Sequence, residues 1–165
     1  MNIQKLRPGR LVVLVGSGLT ALIVASGGAS AAGMCKNVRG TFTLQAITGP
    51  ACTSSVRICA TGHFRGAISG NSTFIGSSVI ATADTPATGV VLVTGDNTIE
   101  TRRGTLKTRD AIVLKTTGEG DFAEVDTIVG GSNAWADATG QLRAEGTFTA
   151  AAGGQGSYTG EVCAP

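Results

Sequence analysis

From Val38 onward, apolar and polar residues alternate with a period of two, and no stretch keeps the 3.6-residue period of an amphipathic helix. Phe42, Leu44 and Ala46 interleave with Thr41, Thr43 and Gln45. Val56, Ile58, Ala60, Phe64 and Ile68 interleave with Arg57, Thr61, His63 and Arg65, and Leu142, Ala144, Gly146, Phe148 and Ala150 with Gln141, Arg143, Glu145, Thr147 and Thr149. One wet and one dry face per run is the signature of an antiparallel sheet packed on one side. Similar runs at 72–83, 89–97, 105–115, 121–129 and 156–163 bring the count to about eight strands, separated by turn residues at a spacing typical of all-β domains. Turns are expected at Gly70-Asn71, Gly95-Asp96-Asn97, Gly118-Glu119-Gly120, Gly130-Gly131-Ser132-Asn133 and Gly153-Gly154, where Gly and Asn accept positive φ. Meandering strands of this number predict a single closed antiparallel β-barrel, because closure removes the exposed edges of a flat sheet; a two-layer sandwich is the alternative.

The N-terminal segment does not fit this pattern. Lys5, Arg7 and Arg10 precede an apolar run from Leu11 to Val24, and small residues follow, ending Ala29-Ser30-Ala31. That order reads as a secretory signal peptide over residues 1–31, leaving a barrel domain over 32–165. Gly16, Ser17, Gly18 and Thr20 interrupt the apolar run, which is short of the ~20 residues that cross a bilayer, so no membrane association is expected after cleavage. An exported chain with four cysteines, Cys35, Cys52, Cys59 and Cys163, is expected to carry two disulfides. Of the three pairings, position favours Cys52 with Cys59 across a short loop and Cys35 with Cys163 joining the ends of the domain. The second requires the first and last strands to be neighbours.

Composition narrows the function classes. The formal charge of +2 includes Lys5, Arg7 and Arg10; without those three the balance is −1 and no basic cluster remains, which removes the electrostatic term that drives nucleic-acid binding. His63 is the only histidine and no CxxC pair exists, so neither a metal site nor another cofactor is expected. His63 shares the wet face with Arg57 and Arg65, and no GxSxG turn is present, which argues against a Ser-His-Asp hydrolase. The run 105–115 holds the one clear anomaly. Leu106, Thr108, Asp110, Ile112 and Leu114 share a face, opposite Lys107, Arg109 and Lys115. Asp110 is thus a carboxylate in an apolar row, where a raised pKa or a specific partner is expected. Tyr158 falls in the inward row of the last strand and could offer its hydroxyl to the same cavity; an Asp and Tyr pair could polarise a carbonyl or exchange a proton. Parity leaves Glu124 and Asp126 undecided, because both rows of their strand contain apolar residues, and the direction of Glu100 is likewise open.

The segment from Ile128 to Leu142, with Gly130-Gly131-Ser132-Asn133, Trp135 and the small residues Ala136, Ala138 and Gly140, resembles the glycine turn of allene oxide cyclase and dirigent-type barrels. Gly104-Thr105-Leu106-Lys107-Thr108-Arg109-Asp110 and Tyr158-Thr159-Gly160-Glu161-Val162-Cys163 look like the corresponding strands of exported bacterial relatives. The resemblance implies a barrel with an apolar cavity, a small hydrophobic ligand whose cyclisation or coupling is guided there, and a trimer. The chain departs from the pattern at Ala136 and Thr139, where dirigent proteins have arginine, at Val125, nearest their acid, and at Asn133, which replaces the turn's last glycine. No catalytic residue carries over. Two readings therefore stand: a secreted barrel that binds a small hydrophobic ligand, and a non-enzymatic extracellular structural or interaction protein with a solid core.

Overall fold

The computed structural model describes residues 34–81 and 89–165; the expected signal peptide, residues 1–31, lies outside them. Eight antiparallel strands close into one barrel in simple chain order: β1 Met34–Ala46, β2 Cys59–Gly66, β3 Gly70–Ala81, β4 Val90–Thr101, β5 Gly104–Lys115, β6 Asp121–Gly131, β7 Thr139–Thr149 and β8 Gly153–Ala164. Each strand pairs with the next, and β8 returns to β1 along a register running from Met34↔Ala164 to Leu44↔Gly154. The ladder has no free edge, as the alternation predicted.

Both expected disulfides are present. Cys35 and Cys163 face each other across the β1–β8 seam with their Cα atoms 3.9 Å apart, so the covalent link sits on the pairing that closes the barrel. Cys52–Cys59 ties the β1–β2 connection to the first residue of β2. Ser54 holds the same connection from inside: its hydroxyl donates to the Gly76 carbonyl at 2.6 Å and accepts from the Val56 N–H at 3.1 Å.

The element boundaries depart from the sequence reading in several places; Gly70-Asn71 and Gly153-Gly154, expected as turns, open β3 and β8 just past the reversals. Val56 and Ile58 precede β2 rather than belonging to it, and Ile68 lies in the bend after it. Gly95-Asp96-Asn97 is not a turn but the middle of β4, and the chain reverses instead at Arg102-Arg103. The physical reason is a close approach: a Cβ at Gly95 would stand 2.4 Å from the Phe74 ring, so glycine is there to admit an aromatic side chain, not to reverse the backbone. With Gly95 in the strand, Val93, Gly95, Asn97 and Ile99 form one continuous inward row.

The interior divides along the barrel axis. At the end where β1 begins and β8 ends, with the β2–β3, β4–β5 and β6–β7 connections, Ile68, Ile99, Leu106, Ile128, Trp135, Ala138, Leu142 and Val162 pack into a solid plug. Gly130-Gly131-Ser132-Asn133 caps this end; Asn133 adopts φ +53° and leads into a 3₁₀ turn, Asn133–Trp135, that inserts the Trp135 ring. Its indole N–H donates to Thr101 Oγ1 at 2.9 Å while the Arg103 guanidinium lies over the ring at 5.1 Å. Toward the other end, Phe42, Phe64, Phe74, Phe122 and Phe148 line the wall and the plug gives way to a cavity.

Candidate functional site

The cavity has a volume of about 80 Å³, more than one buried water requires. All five phenylalanines of the chain line it, with Leu44, Ile58, Val93, Ile112 and Leu114. On its otherwise apolar wall stand four polar side chains: Asn97 from β4, Asp110 from β5, and Glu124 and Asp126 from β6.

Strand geometry brings the acids together. On β5, Leu106, Thr108 and Asp110 are buried while Lys107 and Arg109 are exposed, as parity predicted. On β6, the buried Phe122, Asp126 and Ile128 and the half-buried Glu124 form the inner row, and Ala123, Val125 and Val129 the outer one. Asp110 and Asp126 are direct partners in the β5–β6 register, and Glu124 lies one inward position further along β6, opposite Ile112. Each of the three offers a carboxylate oxygen within 4.8 Å of the others. Like charges directly opposite one another destabilise a sheet, yet Asp110 and Asp126 are 1% and 2% exposed, and no Lys, Arg or His lines the cavity among the described residues.

Protons take the place of counter-ions. Burial, reinforced by the Asp126 charge, pushes Asp110 up to about 7, against the opposing pull of its hydrogen bond from Thr108 Oγ1 at 2.6 Å. Glu124 is held well above the ordinary carboxylate range by burial and then by the Asp126 charge. Asp126 is also raised by burial, with a hydrogen bond from Glu124 acting against the rise. Burial and mutual repulsion thus bias all three carboxyls toward their protonated forms, with Glu124 as the donor within the cluster, and the three titrate as a coupled set. Three buried oxygens have no hydrogen-bond partner among the described residues: Asn97 Oδ1, Asp110 Oδ2 and Asp126 Oδ1. Such an orphan costs about 1–3 kcal/mol, more when charged.

Tyr158 points inward, 1% exposed, but does not line this cavity. Its hydroxyl accepts from the Ile68 N–H at 2.8 Å and donates to the Ile68 carbonyl at 2.9 Å, with the Arg65 carbonyl at 3.3 Å, pinning the β2–β3 bend to β8. The structure thus does not bring Asp110 and Tyr158 into one site. Glu100 is exposed, and His63 sits on the outer surface with its Nδ1 3.0 Å from Asn71 Oδ1. Gly130, Gly131, Trp135 and Gly140 belong to the plugged end, away from the acids.

Two of the acids were visible in the sequence but undirected; the signal that orders them is size, since Phe122 and Ile128 flank them in their own row while Ala123 and the two valines fill the other. Asn97 was hidden by the turn-like Gly-Asp-Asn string. Comparison with protein-family models, curated proteins and solved structures finds no match, and the chemistry is read from the cavity itself.

Proposed function

We propose that this chain is an exported binding barrel that takes a small, largely apolar ligand into the phenylalanine-lined cavity and orients its polar group on the acid cluster. The observation that carries the reading is the asymmetry of the interior: one end is filled with side chains, and the other keeps a cavity with orphaned polar atoms on its wall. An eight-stranded barrel is wide enough for either arrangement, and unsatisfied groups facing a cavity call for a partner that side-chain packing does not supply. The same acids give a bound ligand a proton donor in Glu124 and acceptors in Asp110 and Asp126, which is what guidance of a cyclisation or coupling, by analogy with the allene oxide cyclase and dirigent-type barrels, would draw on. Two disulfides fit an oxidising compartment, in keeping with export, and among the described residues no helix is long and apolar enough to cross a membrane.

Thermal denaturation of the oxidised domain with a panel of fatty acids and phenols tests the reading. A ligand present at a hundredfold excess over its Kd adds roughly 2.7 kcal/mol to the native state, a shift of several degrees that Ala60→Trp, which fills the cavity, is expected to abolish. No stabilisation by any member of the panel would leave the solid-core interaction protein as the surviving alternative.

A further inference from the structure

The proposal above leaves open which polar group the ligand carries, and the unsatisfied atoms narrow it. All three are acceptors: Asp110 Oδ2, Asp126 Oδ1 and, from a different strand, Asn97 Oδ1. Asn97 is independent of the acids. It lies on β4, is 7% exposed, lines the same cavity, and pairs in register with Thr108, the residue that donates to Asp110. A buried amide oxygen with no donor among the described residues faces the cavity beside two buried carboxylate oxygens in the same condition, and no cationic side chain of those residues lines the cavity to serve them.

Candidate guests can be ranked by what they bring. A carboxylate or phosphate brings acceptors and negative charge to a wall already rich in both. A neutral alcohol brings one donor and leaves two orphans. A bare divalent cation suits carboxylates, and the three acids with Asn97 offer it up to seven oxygens, but it requires all three carboxyls to be deprotonated and leaves the apolar remainder of the cavity unused. A primary ammonium brings three N–H donors and one positive charge, and the aromatic rings that crowd the cavity favour a cation as well as an apolar body. Resting on the ligand-binding reading, we propose that the cavity is a site for an apolar primary amine, whose ammonium group is received by Asp110, Asp126 and Asn97 and whose hydrocarbon part lies among the phenylalanines.

The test uses the oxidised domain and three probes that share a phenylethyl group, 2-phenylethylamine, 2-phenylethanol and 3-phenylpropionate, with calcium chloride as a fourth, titrated by calorimetry at pH 8. The amine is expected to bind at least tenfold more tightly than the alcohol or the acid. Asp126→Asn is expected to reduce that preference to threefold or less, and Asn97→Ala, which leaves every acid in place, to weaken the amine three- to tenfold. Equal binding of amine and alcohol overturns the proposal while sparing the apolar-ligand reading, as does binding of a phenol or fatty acid with none of the amine. Calcium that binds and displaces the amine overturns it in favour of a metal centre. Failure of every probe and of the whole ligand panel removes both readings together.

Discussion

The two ends of this barrel treat buried polar atoms in opposite ways. At the plugged end, the Tyr158 hydroxyl and the Trp135 indole N–H are buried among aliphatic side chains, and each has its partner: Ile68 for the first, Thr101 for the second. Toward the other end, Asp110, Asp126 and Asn97 are just as deeply buried, yet among the described residues each keeps an oxygen with no donor, and three acids crowd together with no cationic side chain on the cavity wall. The same eight strands build both regions, so the contrast does not come from topology. One end is arranged for stability; the other accepts a standing electrostatic penalty, the usual mark of a site kept for something other than folding.

The covalent staples give the largest test of this division. Cys35–Cys163 closes a segment of 128 residues and Cys52–Cys59 one of 7. In the chain-entropy account the first is worth roughly 5 kcal/mol and the second about 2–3. Replacing Cys35 and Cys163 with serine is therefore expected to lower the denaturant midpoint about twice as far as replacing Cys52 and Cys59. The short link, however, lies beside the cavity, and Cys59 lines it, so its removal should loosen ligand binding more than its effect on stability implies. Equal losses of stability from both pairs would mean that the seam is not the part that holds the barrel closed.

Asp110 gives the next largest effect and carries a sign that distinguishes the two ends. Its pKa rises on folding from the ordinary 3.8 to about 7, so between those values unfolding releases a proton and stability falls as pH rises, with the loss complete above about 7. At about 1.4 kcal/mol per pH unit, this single group makes the fold roughly 4 kcal/mol less stable at pH 8 than at pH 3. Glu124 and Asp126, the titratable groups facing it from β6, act in the same direction; from β4 it meets Gly95 and Asn97, which do not titrate. Asp110→Asn should flatten the profile and stabilise the protein at pH 8 while changing little at pH 3.5, read by urea unfolding at each pH. A protein that gains stability on going from pH 4 to pH 8 would show that the cluster is not buried as described.

How much of this was legible beforehand follows the same division. The closed barrel, its seam and Asp110's inward direction follow from period-two alternation and from a cysteine near each end of the domain, features that short-range pattern records faithfully. Partnerships over long separations do not appear in such patterns. Tyr158's inward position is readable from parity, but its bond to Ile68 spans 90 residues and depends on a bend no local signal marks. Glu124 and Asp126 stay undirected because Ala123, Val125 and Val129 make the outer row of β6 as apolar as the inner one, and two of those three are exposed valines on the barrel's outside. Asn97 was lost because Gly95 reads as a turn residue until Phe74, from the neighbouring strand, is seen to need its missing side chain.

Tyr158→Phe probes the plugged end by making it resemble the other. The substitution keeps the ring against Phe64, whose centroid lies 5.4 Å away, and removes only the hydroxyl, leaving the buried Ile68 N–H and carbonyl without that partner. The expected loss is about 1–3 kcal/mol, the cost of buried groups left unpaired, and it should not depend on pH between 4 and 8, because burial raises the Tyr158 pKa further above its ordinary 10.0. Ligand binding should be unchanged, since the hydroxyl does not reach the cavity.

The smallest effect belongs to the outer wall behind the acids. Asp96 pairs with Arg109 at 3.6 Å, both side chains largely exposed, and such pairs contribute about 0–1 kcal/mol. Asp96→Asn should therefore barely move the unfolding midpoint. Because the Asp96 charge is the weakest of the influences raising Asp110, its removal should nevertheless shift the Asp110 titration downward, measured by carboxyl carbon chemical shifts. A change in that titration without a change in stability would show that the wall transmits charge to the cavity while leaving the fold to the plugged end. No movement of either would confine the acid cluster's electrostatics to the three carboxylates themselves.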